Sequence, residues 1–161
     1  MKKLMVIALA TLFGINMSYA AQVTADVYTT EGNKSLGQIV FADTPYGLLI
    51  SPHLTGLPAG PHGFHLHQHP SCGDAGMDAG DHFDRNHTNT HLGPYGEGHL
   101  GDLPVLYVTA DGQANTPTLA PRLKTSDVKN LTVMVHAGGD NYSDTPKLGG
   151  GGARVACGVI Q

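Results

Sequence analysis

The chain has no tryptophan, only 6% aromatic residues and only 14% charged ones. Basic residues form no run anywhere, which makes nucleic acid and anionic membrane surfaces poor partners. Glutamate occurs only at Glu31 and Glu97, so the carboxylate base that a zinc hydrolase needs has few candidates. Apolar residues never recur for long at the i, i+3, i+4, i+7 spacing, which predicts at most one helical turn. Cysteine appears only as Cys72 and Cys157. Long apolar runs are absent except at the N-terminus.

That one run defines the start of the chain. Lys2 and Lys3 precede an apolar stretch at residues 4–15, and Ser18 and Ala20 supply small residues at −3 and −1. The pattern reads as a secretory signal peptide over residues 1–20, cleaved after Ala20, rather than as a membrane span. The remaining 161 − 20 = 141 residues suffice for one domain, residues 21–161. Losing Lys2 and Lys3 takes the formal charge from −4 to −6. In the oxidising compartment that export implies, two cysteines 85 residues apart most simply form one disulfide, the alternative being two unpaired buried thiols.

What is abundant is glycine, with 22 residues, and histidine, with 10. From Gln22 onward the apolar pattern has a period of two, broken by turn chemistry at Glu31-Gly32-Asn33, Pro45-Tyr46-Gly47 and Asp111-Gly112. Strands are expected near residues 23–27, 36–41, 48–54, 60–67, 103–109, 114–119, 131–136 and 154–160, giving a β-sandwich or barrel of about eight strands. Two stretches break the rhythm. Residues 68–100 and 137–152 are rich in Gly, Asp and Asn, and loops of such length need something other than a core to hold them.

Metal ligands would do so. His65 and His67 are two apart, so on a strand both imidazoles project from one face. His91, His99 and Asp102 make a three-ligand group that one more imidazole completes to a tetrahedral zinc shell. His65, His67 and His136 offer only nitrogen, which suits copper better than a hard cation. His82 lies between the groups, and its two ring nitrogens allow it to serve both.

The segments Gly63-Phe64-His65-Leu66-His67, residues 91–103 from His91-Leu92-Gly93-Pro94 to Gly101-Asp102-Leu103, His136-Ala137-Gly138-Gly139-Asp140, and residues 149–160 closely resemble the copper/zinc superoxide dismutases in their exported bacterial form. The resemblance spans nearly all of residues 21–161. It implies a Greek-key β-sandwich with two long functional loops, and dismutation of superoxide to O₂ and H₂O₂. Carried over residue by residue, it implies copper on His65, His67, His82 and His136, and zinc on His82, His91, His99 and Asp102. It further implies a Cys72–Cys157 disulfide, Arg154 as an anion guide beside the copper, and His82 and Arg154 as the catalytic pair. Asp140 is then the candidate carboxylate behind the ligands, joining imidazoles of the two sites. Relatives are commonly homodimers, so a homodimer is expected.

The chain also departs from the family. Between Cys72 and His82 it lacks the longer lysine-bearing segment that exported relatives usually carry, with Asp74, Asp78 and Asp81 there instead. Slower turnover with a shallow salt dependence is expected. His53, His62, His69 and His87 are surplus and read as solvated loop residues, with His87 as an accessory haem or metal ligand if one exists. The competing reading is a catalytically idle, exported copper/zinc buffer or transfer protein using the same ligands.

Overall fold

The structure is a computed structural model and describes residues 21–161; the signal peptide expected over residues 1–20 lies outside the described residues. Ten strands alternate with loops: β1 (Gln22–Thr29), β2 (Ser35–Thr44), β3 (Gly47–Thr55), β4 (Gly60–His62), β5 (Phe64–His67), β6 (Leu106–Val108), β7 (Gln113–Ala114), β8 (Thr118–Ala120), β9 (Thr132–His136) and β10 (Arg154–Val159). All pair antiparallel. The main sheet runs β5-β9-β10-β1-β2-β3-β7, with β8 also on β3, while β4 and β6 form a separate pair. This is the all-β architecture the period-two pattern predicts.

Three expectations need correction. The strand expected over residues 60–67 splits at Gly63, because β4 pairs with β6 and β5 with β9. The one expected over residues 114–119 splits into β7 and β8 at Asn115-Thr116-Pro117; proline has no N–H to continue a ladder. Helical structure exceeds one turn: besides the α-turn α1 (Thr125–Val128), 3₁₀ segments occur at Asp74–Ala79 and Lys147–Gly150.

The core follows from alternation. Val27 of β1, Ile39 and Phe41 of β2, and Leu48, Ile50 and Leu54 of β3 point inward and are fully buried. Strands β5 and β9 differ, being buried on both faces. Phe64, Leu66, Val133 and Val135 face the core, which leaves His65, His67, Thr132, Met134 and His136 on the other side. The residue 68–105 loop covers that side. It is sewn to the free edge of β5: Leu66 N–H donates to Gly101 O at 2.8 Å, and Phe83 N–H donates to Leu66 O at 2.8 Å. Edge groups that would otherwise be unpaired are thereby satisfied. Gly101 is required in this seam, since a side chain there would overlap Leu66 O. The Cys72–Cys157 disulfide ties the same loop to β10.

Candidate metal centre

β5 brings two buried rings, His65 and His67, to the loop-covered face, and β9 ends on a third, His136. Register holds the three together: His136 N–H donates to Gly63 O at 2.8 Å, and His65 lies opposite Met134. The loop lays His82 beside His67 and Asp102 beside His65 in isolated bridges. The ligand-capable atoms of His65, His67, His82 and His136 therefore fall within 4.8 Å of one another, as do those of His82, His91, His99 and Asp102. Only His82 belongs to both sets.

The hydrogen bonds decide which nitrogen of each ring is free. His65 Nε2 donates to Asp140 Oδ2 at 2.7 Å, His67 Nδ1 to Gly80 O at 2.8 Å and His136 Nδ1 to Gly152 O at 3.2 Å. Their opposite nitrogens, His65 Nδ1, His67 Nε2 and His136 Nε2, are buried without a partner. A donor on one side of a neutral imidazole fixes a lone pair on the other, so three lone pairs are presented to one small volume. Burial holds all three rings neutral, drawing His65 to about 3, His67 to about 2 and His136 to about 4. Such a donor set fits a soft or borderline transition metal.

The mixed set is built the same way around a carboxylate. Asp102 Oδ2 accepts from the N–H groups of Leu92 and Gly93 at 3.2 and 3.3 Å. Its Oδ1 lies 2.9 Å from His91 Nδ1, 3.1 Å from His82 Nδ1 and 3.4 Å from His99 Nδ1. Apart from Asp102 Oδ1, His91 Nδ1 and His99 Nδ1 have no partner, and the three atoms crowd a common centre. Burial opposes ionisation of Asp102, but the three imidazoles outweigh it and hold the carboxyl well below the usual range. Three nitrogens and one oxygen complete a tetrahedral zinc shell.

Asp140 links the sets: Oδ2 takes His65 of one, and Oδ1 takes His91 Nε2 of the other at 2.8 Å. Burial raises its carboxyl, yet the bonds to His65 and His91 win and hold it low. Burial likewise lowers His91, but the two carboxylates overcome it and lift the ring to about 9. A Cβ at Gly149 would overlap Asp140 Oδ1, so only glycine leaves space for this link. Asp144 Oδ2 accepts from His91 N–H at 3.0 Å.

Two cavities open onto the sets. One of about 330 Å³ reaches His67, His82 and His136 and is rimmed by Arg154, Lys147 and Met77. Arg154 is anchored by carbonyls of the disulfide loop, donating to Gly76 O and Gly80 O at 2.6 Å each. The other, about 340 Å³, reaches His82 and His99 past Asp81, Asp84 and Asp144.

Every copper and zinc ligand candidate read from the sequence is thus brought into one of the two sets, and Arg154 and Asp140 border them. His53, His69 and His87 are exposed, and His87 lies outside all groups of convergent ligand atoms among the described residues. His62 is a correction. It is no solvated loop residue but 2% exposed, its Nδ1 at 2.6 Å from His136 O and its Nε2 at 2.8 Å from Pro58 O. The carbonyls of Gly80 and Gly152 and the rim position of Lys147 escape sequence reading, because backbone acceptors carry no side-chain signature.

A family model for copper/zinc superoxide dismutase matches residues 35–160. The chain is 58% identical over 163 residues to a Cu-Zn superoxide dismutase of Legionella pneumophila, with 100% of both chains covered. Among solved structures it is similar to the Cu/Zn superoxide dismutase from Brucella abortus, with a TM-score of 0.83, 44% identity, and coverage of 88% of this chain and 100% of that one. It is also similar to the monomeric copper, zinc superoxide dismutase from Salmonella enterica, with a TM-score of 0.76, 48% identity and the same coverage. Over almost its whole length, then, this chain belongs to the copper/zinc superoxide dismutase family.

Proposed function

We propose that this chain dismutes superoxide, converting two superoxide ions and two protons to O₂ and H₂O₂, with copper held by His65, His67, His82 and His136 and zinc by His82, His91, His99 and Asp102. The observation that carries the reading is the set of buried, unpartnered nitrogens on His65, His67 and His136, each opposite a nitrogen engaged as a donor. Copper, when bound, supplies one-electron exchange, and zinc, with no redox chemistry, supplies fixed charge and geometry.

The chain's own residues do the rest. Arg154 presents a permanently charged guanidinium at the mouth of the cavity reaching His67, His82 and His136, where it holds a small anion. With Nδ1 of His82 turned to Asp102, its Nε2 is left for the other set, where it can carry a proton to the departing peroxide. Asp140 fixes the tautomers of His65 and His91 together, and His62 braces the carbonyl of His136. The idle-buffer alternative explains neither Arg154 at the cavity rim nor a histidine common to both sets.

Export to the periplasm with loss of residues 1–20 agrees with the Cys72–Cys157 disulfide, which persists in oxidising compartments. A homodimer remains part of this reading, although the Salmonella enterica relative is described as monomeric. At His87 an exposed imidazole stands without a second convergent ligand among the described residues, which lends haem or an accessory metal no support. The test is metal analysis alongside superoxide consumption: one copper and one zinc per chain, with consumption abolished by removing copper and restored by returning it. Binding of both metals without consumption would favour the buffer.

A further inference from the structure

The two cavities differ in charge, and one short segment separates them. The cavity reaching His67, His82 and His136 has two cations on its walls, Lys147 and Arg154, and no carboxylate. The cavity reaching His82 and His99 has three carboxylates, Asp81, Asp84 and Asp144, against the single ammonium of Lys147. His82, Lys147 and Leu148 line both: the cavities meet at the His82 ring, and Lys147 and Leu148 form the rest of the partition. Leu148 holds a left-handed conformation at φ 51°, followed by Gly149 at φ 71°, so the backbone turns sharply directly after Lys147.

Two of the three carboxylates have structural work. Asp84 accepts from Asn89 N–H at 2.8 Å and from the Thr88 hydroxyl at 3.2 Å, and Asp144 accepts from His91 N–H. Asp81 is exposed, lines this cavity next to His82, and lies near enough to Arg154 for its charge to be felt by that guanidinium. At the inner end of this cavity stands His99, 8% exposed, with an unpartnered Nδ1.

We propose that the carboxylate-lined cavity is the loading route for the divalent cation of the mixed set, separate from the cationic cavity through which the anionic substrate enters. A single opening would confront zinc and superoxide with the same field. Two openings of opposite sign let each ion meet an attractive potential on its own side. The inference rests on the assignment of His82, His91, His99 and Asp102 to zinc.

The test is the rate at which the metal-free full chain, disulfide intact, takes up cobalt(II), read from the visible absorption of the tetrahedral ion. Asp81→Asn and Lys147→Gln each remove one charge with little change of shape. For a unit charge about 10 Å from a divalent ion in water, Coulomb's law gives a change of about three- to fivefold in association rate at low salt. Asp81→Asn should slow uptake by about that factor and Lys147→Gln should speed it, both effects fading near 1 M salt, where screening is nearly complete. The dissociation rate and the final spectrum should match the parent chain, which also shows that each variant folds and forms the site. Unchanged association rates, or both variants shifting uptake in one direction, would overturn the route. A cobalt spectrum that survives His99→Ala unchanged would instead overturn the ligand assignment, and the route with it.

Discussion

Replacing Asp140 by asparagine probes the link between the two metal sets. In the parent chain two ring N–H groups, His65 Nε2 and His91 Nε2, end on one carboxylate at 2.7 and 2.8 Å, and Tyr142 N–H adds a third bond to Oδ1 at 2.7 Å. Asparagine keeps one oxygen and replaces the other with an NH₂ donor, so one imidazole N–H must face another donor. A buried donor left unsatisfied costs about 1–3 kcal/mol. The ring can escape only by moving its proton to the opposite nitrogen, the one needed for metal. Loss of such a supporting bond lowers metal affinity about 10- to 100-fold, equivalent to about 1.4–2.8 kcal/mol. Competition titrations of Asp140→Asn with graded chelators, for copper and zinc separately, should show that loss in at least one metal. Parent-like affinity for both metals would refute the idea that Asp140 sets the tautomers.

Arg154→Ala should lower kcat/KM for superoxide about tenfold or more, and Arg154→Lys should recover only part of it, because lysine keeps the charge without the fork that grips Gly76 O and Gly80 O. The parent's kcat/KM should fall only shallowly as salt rises, since Lys147 and Arg154 are the only cations on that cavity wall; a steep fall would contradict this. Metal-free protein should be most stable near pH 7. Below it, unfolded histidines at their ordinary 6.5 take protons that buried His65, His67 and His136 refuse, so stability falls with pH; above it, the advantage of protonated His91 is lost as pH rises through about 9. Melting of chelator-treated protein from pH 4 to 10 checks this, and a midpoint that climbs as the pH is taken from 6 down to 4 would contradict it. Replacing Cys72 and Cys157 together by serine should cost roughly 4–5 kcal/mol in denaturant unfolding, from the entropy of a loop closed across 85 residues.

Much of this site is legible in the sequence because its ligands sit where local rules act. The i, i+2 spacing of His65 and His67 puts both on one face of β5, and His99 and Asp102 need only a tight turn to converge. The six-histidine content of two glycine-rich loops and their flanking strands signals metal before any contact is known. What stays hidden depends on long-range placement. The carbonyls of Gly80 and Gly152 select ring tautomers through backbone atoms that any residue possesses. His62 follows a proline and precedes a glycine, as a loop residue would, yet the turn from β4 into β5 drives it under His136. Lys147 reads as one more surface lysine until the 3₁₀ segment at Lys147–Gly150 sets it between two cavities. The split of residues 60–67 into two strands likewise depends on which partner each half finds, since β6 and β9 lie far along the chain.

One imidazole, that of His82, stands to serve two ions. The most direct measurement is a crystal structure of the copper- and zinc-loaded protein with anomalous data at both absorption edges. One peak of each metal is expected on opposite sides of the His82 ring, with zinc about 2.0–2.1 Å from Nδ1 and copper within bonding distance of Nε2. Metal peaks that leave His82 bound to one ion alone would contradict it.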